Sequence, residues 1–219
     1  MKEIDVYKVL EGKNPKLARR VPRFVVDYLR RTIHEREVNE ILARFGDLEG
    51  IAFVRAALGY MNVRYHSVGM ERLNPEGRYV FASNHPFGGM DGLMLADEVA
   101  RYFGDVRVVV NDLLMYLGPL RGLFVPVNKH GRQDAGSVEA FNNAFASDVP
   151  IVTFPAGLCS RRRRGVVRDL EWKPNFVKKA AAYGRDVVPV YFNGRLSDFF
   201  YRLSNLRTVL GIKANIEML

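Results

Sequence analysis

From residue 78 onward, short apolar runs alternate with segments of helical composition, and this alternation constrains the fold more than any other feature. Runs of this length are typical of buried strands, and helices between them connect strands into one parallel sheet. The sequence therefore predicts an α/β fold, with a mostly parallel central sheet flanked by helices. The predicted strands are 78–83, 106–110, 123–127, 150–154 and 187–192, and the predicted helices lie near 91–103, 112–118, 136–146 and 173–184.

The first 75 residues are predicted to form an N-terminal helical extension, which leaves the α/β domain to span 76–219. Asn14-Pro15 is typical of a helix start, Pro22 predicts a kink or a restart, and a second helical stretch is predicted from 37 to about 57. Apolar residues recur at helical spacing along one face of the first stretch, at Leu17, Val21, Phe24, Val25 and Tyr28.

Basic residues surround this apolar face. An ordinary solvated helix that docks on the domain fits the pattern, and so does a basic amphipathic element that lies on an anionic membrane surface. The pattern alone leaves both interpretations open. The basic residues are Lys13, Lys16, Arg19, Arg20, Arg23, Arg30 and Arg31.

The formal net charge of +9 and a pI near 9.8 indicate an anionic partner. A nucleic acid, a membrane surface and a phosphorylated substrate all meet that condition. A nucleic-acid-binding face would spread basic residues along one surface with aromatic residues among them. Here the arginines are divided between the N-terminal helices and one later run, so no nucleic acid is expected as a partner, and a nucleic-acid-binding protein is kept only as an alternative.

The composition also bears on the compartment. No uncharged stretch is longer than twelve residues, too short for a membrane span, and the N-terminus lacks the apolar core of a signal peptide. The single cysteine, Cys159, excludes an intramolecular disulfide and is typical of a reducing cytosol. With four histidines it shows no zinc-ligand spacing, so no metal or redox cofactor is expected. We expect a cytoplasmic protein, peripheral on the inner face of the cytoplasmic membrane.

The apolar ending, 216–219, predicts a strand that continues beyond the last residue.

The first candidate cluster is the run SNHPFGGMDG (83–92), directly after the first predicted strand. Its glycines allow Asp91 to fold back onto the imidazole of His85, and a carboxylate that orients a histidine makes a general base. A structural histidine beside an Asp91 that caps the next helix is the alternative. No serine or cysteine is clearly placed to carry an acyl group. Direct attack by a bound acceptor, with His85 as base, is therefore the simpler mechanism.

Two further clusters follow later strands. The run TFPAGLCS (153–160) is predicted to leave backbone N–H groups free to face an anion or an oxyanion. The four arginines 161–164 then form either a phosphate site or a solvated basic loop. Cys159 is predicted to be a small buried residue and not a reactive thiol. The strand 123–127 enters a basic loop that contains Lys129.

Taken in order, these clusters resemble the lysophospholipid acyltransferase superfamily, whose best-known members acylate glycerol-3-phosphate and lysophosphatidate. The likeness rests on Asn84-His85 with Asp91, on 122–128, on 154–157, and on 188–190 with Gly194. It implies acyl transfer from an acyl-carrier-protein or coenzyme A thioester to a lipid-pathway acceptor, with His85 as general base and Asp91 orienting it. It also implies a set of substrate-binding residues: Asn84, Lys129, Phe154, Pro155, Ala156, Gly157, Arg161 and Arg162.

Departures from the family pattern bear on the acceptor. Ala156 stands where the family has a glutamate, and Asn128 lies near the place of a basic residue; in the family both help to hold glycerol phosphate. The forms NHPFGGMDG and FPAGLCSR are closer to a bacterial, hemolysin-named branch that is linked to glycine and ornithine lipids. We therefore expect an amino-acid-type lipid precursor as acceptor, with lysophosphatidate as the alternative. A non-catalytic lipid-binding protein is a further alternative, because one residue more than is usual in the family separates His85 from Asp91.

Overall fold

The computed structural model describes residues 3–13, 15–32, 34–127 and 135–210, and the chain forms two compact units. The smaller unit consists of Met1–Asp47 and Ser197–Leu219, and the larger of Leu48–Leu196. The boundary predicted near residue 75 falls inside the larger unit and stays a prediction. Within the described ranges, no helix combines the length and apolar character needed to cross a bilayer.

The larger unit is built on a five-stranded, all-parallel sheet, which confirms the predicted α/β class. Its strands are β1 (Tyr79–Ser83), β2 (Arg107–Asn111), β3 (Phe124–Val127), β4 (Ile151–Thr153) and β7 (Asp186–Val190), in the order β3-β2-β4-β1-β7. A separate antiparallel hairpin is formed by β5 (Arg161–Arg163) and β6 (Val166–Arg168).

Helices cover the sheet and make up the smaller unit. The larger unit contains α5 (Gly50–Tyr60), α6 (Gly89–Phe103), α7 (Ala135–Ala146) and α8 (Asn175–Ala182), with short 3-10 helices at Met70–Arg72, Asp112–Tyr116 and Gly118–Leu120. The smaller unit contains α1 (Val6–Lys13), α2 (Pro15–Ala18), α3 (Arg23–Thr32), α4 (Glu35–Phe45) and α9 (Asp198–Val209).

Strand β1 lies near the middle of the sheet, paired with β4 on one side and β7 on the other. All five of its residues are buried, as expected for a parallel strand that is covered on both faces. Because the strands are parallel, the loops that follow β1, β4 and β7 emerge at one edge of the sheet. Sites in sheets of this kind lie beyond the carboxyl ends of the strands.

Three local predictions were wrong. The helix predicted over 37–57 is two helices, because Gly50 takes a left-handed φ of +55° and starts α5 afresh. The helix predicted over 112–118 is two 3-10 helices. The arginine run forms a hairpin and not a loop, since Arg164 and Gly165 have φ of 51° and 81° and make a two-residue reversal. Sequence reasoning also missed α9.

Only some residues of the apolar face predicted for the first helical stretch are packed against other residues in the structure. Val21 and Val25 pack against a buried cluster of the smaller unit, formed by Val6, Val26 and Leu29. The other predicted members behave differently: Phe24 is 73% exposed and Tyr28 is 38% exposed, whereas Leu17 lies outside the described side chains. The inward face of α3 is therefore rotated from the predicted one.

At the end of the sheet where the strands begin, just before β7, the buried side chain of Arg185 binds main-chain carbonyls at the end of α7. Its Nε donates to Phe145 at 2.8 Å and its Nη1 to Val149 at 2.9 Å, and its Nη2 also donates to Ser147. Burial lowers the pKa of Arg185 to about 10, which leaves it charged at neutral pH. These bonds satisfy carbonyls that a helix end leaves without partners.

We expect Arg185→Met to lower the free energy of unfolding by about 3 kcal/mol, since it leaves several buried carbonyls without donors. Urea denaturation followed by the fluorescence of the single tryptophan, Trp172, measures this loss. Arg163→Met, at an exposed position, is the matched control and is expected to change stability by less than about 0.5 kcal/mol. Equal stability of Arg185→Met and the wild type would show that the guanidinium is not needed there.

Candidate active site

The structure brings His85 and Asp91 into contact at the carboxyl end of β1. The Nδ1 of His85 lies 3.1 Å from Oδ2 of Asp91, whose side chain is fully buried, while that of His85 is 17% exposed. The main-chain N–H of Phe87 donates to the same carboxylate oxygen at 2.8 Å. Because Nδ1 of His85 is engaged by Asp91, Nε2 is the ring nitrogen that is left to accept a proton.

The turn between the two residues depends on Gly88, which precedes the first residue of α6. Its φ of +71° lies in the region that favours glycine, and a Cβ there would lie 3.1 Å from the Sγ of Cys159. The resemblance predicts that the additional residue between His85 and Asp91 lies in this turn, and that stays a prediction. Asp91 does not occupy the cap position itself, since Gly88 does, but lies in the first turn of α6.

Burial is the main influence on the Asp91 carboxyl and raises its pKa above the usual value. The hydrogen bonds from His85 and from the Phe87 N–H act in the opposite direction and stabilise the ionised form. The imidazole is also held from the side, since the ring of Phe154 stacks on it with centroids 4.2 Å apart. The orientation of His85 is therefore determined by two contacts.

A second carboxylate, Asp169, holds the main chain of His85 from the other side. Its Oδ1 accepts from the His85 N–H at 3.1 Å and from Ser160 Oγ at 2.5 Å, and its Oδ2 accepts from Trp172 Nε1 at 2.8 Å. The Ser160 N–H in turn donates to the His85 carbonyl at 2.9 Å. The sequence analysis included Ser160 in the run 153–160 without this role, and it did not predict a role for Asp169 or Trp172, because no recognised motif contains them.

Asn84 joins the ends of β1 and β7. Its Nδ2 donates to the Phe192 carbonyl at 3.0 Å, and its Oδ1 accepts from the Phe192 N–H at 2.6 Å. Both ends of the side chain are engaged, so in this structure Asn84 positions the loop that follows β7. Its predicted role in substrate binding stays a prediction.

The segment after β4 forms a tight turn beside the histidine. The Gly157 N–H donates to the Phe154 carbonyl at 2.9 Å, and Gly157 has a φ of +67°. Pro155 and Ala156 are buried within this turn, and the Pro155 carbonyl accepts from Lys173 N–H at 3.2 Å. The turn thus supplies the Phe154 ring to the site and places the small Ala156 side chain inside.

The predicted anion-binding residues occupy different environments. Arg161 is buried and its Nη1 donates to the Cys159 carbonyl at 2.7 Å, whereas Arg162 is half-buried. Lys129 lies outside the described residues. Cys159 is buried as predicted, and burial raises the pKa of its thiol to about 11, so the thiol is protonated at neutral pH.

A cleft of about 370 Å³ opens next to His85, with both of its chain neighbours in the wall. This volume lies in the range of small-molecule sites. Among the described residues, no group of three or more His, Cys, Asp or Glu side chains could hold a metal ion. The cleft is lined by Asn84, Pro86, Ser160, Val167, Arg168, Asp169, Tyr191, Asn193, Gly194 and Arg195.

Similarity to known proteins extends over nearly the whole chain. Residues 8–219 match a family model described as acyltransferase. The chain is 47% identical over 217 residues to a lyso-glycine lipid O-acyltransferase of Bacteroides thetaiotaomicron, which covers 99% of this chain and 80% of that protein. It is 45% identical over 217 residues to a protein of the same name from Phocaeicola vulgatus, with 99% and 78% covered.

The raised pKa of Asp91 predicts how stability depends on pH in the variant Asp91→Asn. Above the folded-state pKa, the ionised carboxylate opposes folding, and this cost disappears below the pKa of the unfolded chain. Asparagine carries no such cost and can still accept from the Phe87 N–H. We therefore expect Asp91→Asn to gain stability relative to the wild type as the pH rises from about 3 to 8.

Urea denaturation of both proteins at several pH values measures this difference. Asp27→Asn, at an exposed position of α3, is the matched control and is expected to show a smaller dependence on pH. A stability difference that runs the opposite way would mean that the donors around Asp91 outweigh its burial.

Proposed function

The chain belongs to the acyltransferase family and acts on lipids, and we propose that it transfers a fatty acyl group from a thioester to the hydroxyl of a lipid built on glycine. The observation that carries this proposal is the buried His85–Asp91 pair, with 3.1 Å between Nδ1 and Oδ2, beside an open cleft. A histidine held in this way is suited to remove a proton from an acceptor. The acyl donor is an acyl-carrier-protein or coenzyme A thioester.

The identity of the acceptor is supported by two observations. The two similar proteins are named for an O-acylation of a lyso-glycine lipid, and the family resemblance predicts an amino-acid-type acceptor from Ala156. Glycine has no hydroxyl group, so the acylated oxygen belongs to the chain that the glycine carries. Lysophosphatidate is the alternative acceptor and is tested beside it.

In the proposed mechanism, Nε2 of His85 takes the proton of the acceptor hydroxyl as its oxygen attacks the thioester carbonyl. The carbon–oxygen bond forms and the carbonyl oxygen becomes an oxyanion, which main-chain N–H groups after β4 stabilise. Collapse of this intermediate breaks the carbon–sulfur bond, and the thiolate takes the proton from the imidazolium. Asp91 stabilises the positive charge on His85 while the imidazole is protonated. Because the acceptor attacks the thioester directly, no acyl-enzyme forms.

The basic residues Arg162 and Lys129 act outside this proton transfer. We assign them to the anionic donor, whose phosphate groups they attract by charge. The buried Arg161 holds the Cys159 carbonyl and so shapes the turn after β4. Asn84 contributes by positioning the loop after β7.

We expect His85→Ala to lower kcat by about 10²- to 10⁴-fold, because it removes the general base. The assay follows thiol release and lipid product from palmitoyl donors on carrier protein and on coenzyme A, with lyso-glycine lipid or lysophosphatidate as acceptor. His66→Ala, at an exposed histidine, is the matched control and should retain full activity. Equal turnover by wild type and His85→Ala would overturn the mechanism, and dominant turnover of lysophosphatidate would overturn the acceptor.

We further propose that α3 seats the protein on the inner face of the cytoplasmic membrane. Phe24 is 73% exposed on this helix, and the exposed Arg20, Arg23 and Arg31 accompany it. Arg30 has another role, since its guanidinium lies within 3.6 Å of three carboxylates, those of Asp5, Asp27 and Glu35. An aromatic side chain among cations suits the interface of an anionic bilayer.

We expect Phe24→Ser to weaken binding to phosphatidylglycerol vesicles by about 10-fold or more, since an exposed phenylalanine gains about 1.5–3 kcal/mol on burial. Co-sedimentation measures the binding, with phosphatidylcholine vesicles showing the part that does not depend on charge. Val177→Ser, at an exposed apolar residue of α8, is the matched control. Unchanged binding by Phe24→Ser would place the membrane contact elsewhere.

A further inference from the structure

We propose that the cleft beside His85 binds the carboxylate of the acceptor's glycine headgroup, through Arg168 and Arg195. The inference rests on the proposed function and deepens it, because it assigns the residues that select a glycine lipid. Neither residue belongs to the motifs on which the family resemblance rests.

The position of the cleft relates it directly to the proposed base. Asn84 and Pro86, which flank His85 in the chain, both line it. Asp169, whose Oδ1 accepts from the His85 N–H at 3.1 Å, lines it as well, and Arg168 is its neighbour in the chain. A headgroup held here therefore lies beside the main chain of His85. The imidazole itself does not line the cleft, so the proposal requires the chain that carries the hydroxyl to extend out of the cleft towards Nε2.

The charges of the wall favour an anion. Among the described residues that line the cleft, Asp169 alone is acidic, and its two oxygens already accept from Ser160, Trp172 and the His85 N–H. The guanidinium of Arg168 is exposed and has no hydrogen-bond or ion-pair partner among the residues that the structure describes. It is therefore available to bind a ligand.

The balance of charge favours a carboxylate over a phosphate monoester. Arg168 gives the wall a positive charge that no described residue pairs with, and the single negative charge of a carboxylate neutralises it. A guanidinium binds the two oxygens of a carboxylate with two parallel hydrogen bonds, and this adds geometric selectivity to the attraction. Asn193 supplies a further amide to the same wall. A lipid-linked glycine with a free carboxylate meets these requirements.

The experiment compares two acceptors that differ only in this charge: the lyso-glycine lipid and its carboxamide. The wild type is expected to prefer the carboxylate by about 10- to 100-fold in kcat/KM, the range of a charge-assisted pair. Arg168→Ala should lower kcat/KM for the carboxylate by a similar factor, mainly through KM, and leave the carboxamide unchanged. Arg195→Ala is the second variant, with the same expectation.

The controls separate recognition from general damage. Arg163→Ala removes the same charge from the same hairpin but lies outside the cleft, and should leave both acceptors unchanged. Thermal unfolding of each variant checks the fold. Lysophosphatidate is assayed in parallel as an acceptor without a carboxylate.

Several results would overturn the inference. Equal use of the carboxylate and carboxamide by the wild type would do so while leaving the proposed function intact. So would an Arg168→Ala variant that loses activity equally on both, or one that raises KM for the donor alone, since the arginine would then serve the structure or the donor phosphate. Turnover of lysophosphatidate alone would instead overturn the proposed function, and the inference with it.

Discussion

The site depends on one buried carboxylate. Asp91 is fully enclosed, and burying a carboxylate is costly unless donors bind it. Its donors are the imidazole of His85 and the main-chain N–H of Phe87, so the intervening chain must fold back on itself. Both donors bind Oδ2, whereas the buried Oδ1 has no hydrogen-bond partner among the described residues. Gly88 makes this possible by adopting a left-handed conformation that other residues rarely take. The orientation of the histidine is a consequence of satisfying a charge that the fold has removed from water.

The parallel sheet places the His85–Asp91 pair next to the loops that follow other strands, and together they form the site. It brings the loops after β1, β4 and β7 to one edge, and side chains then connect them. Asn84 binds the main chain of Phe192, and Asp169 binds both Ser160 and the N–H of His85. Because His85 follows a strand and these hydrogen bonds fix the surrounding loops, its imidazole can be held close to the geometry that proton transfer requires.

The two units suggest a division of work for a protein that acts on lipids. The larger unit carries the histidine and the cleft, whose wall contains Arg168 and Arg195 and is proposed to bind the acceptor. The smaller unit carries α3, where Phe24 is exposed among arginines while Val26 and Leu29 form its inner side. The proposals give charge two uses, attraction to a surface and recognition of a headgroup. The structure shows a third at Arg185, which stabilises a helix end inside the core.

The sequence by itself determined the five strands of the central sheet and the α/β class, and it predicted the contact of His85 with Asp91, because apolar runs and a turn rich in glycine act over a few neighbouring residues. It also indicated an acyltransferase, through motifs that are local in the same sense. Only the tertiary structure decided which distant groups complete the site. Asp169, which directly follows the β5–β6 hairpin, binds the main chain of the histidine, and the order of the strands brings Arg185 to its carbonyls. Such contacts join residues far apart in the chain, and no periodicity or short motif records them.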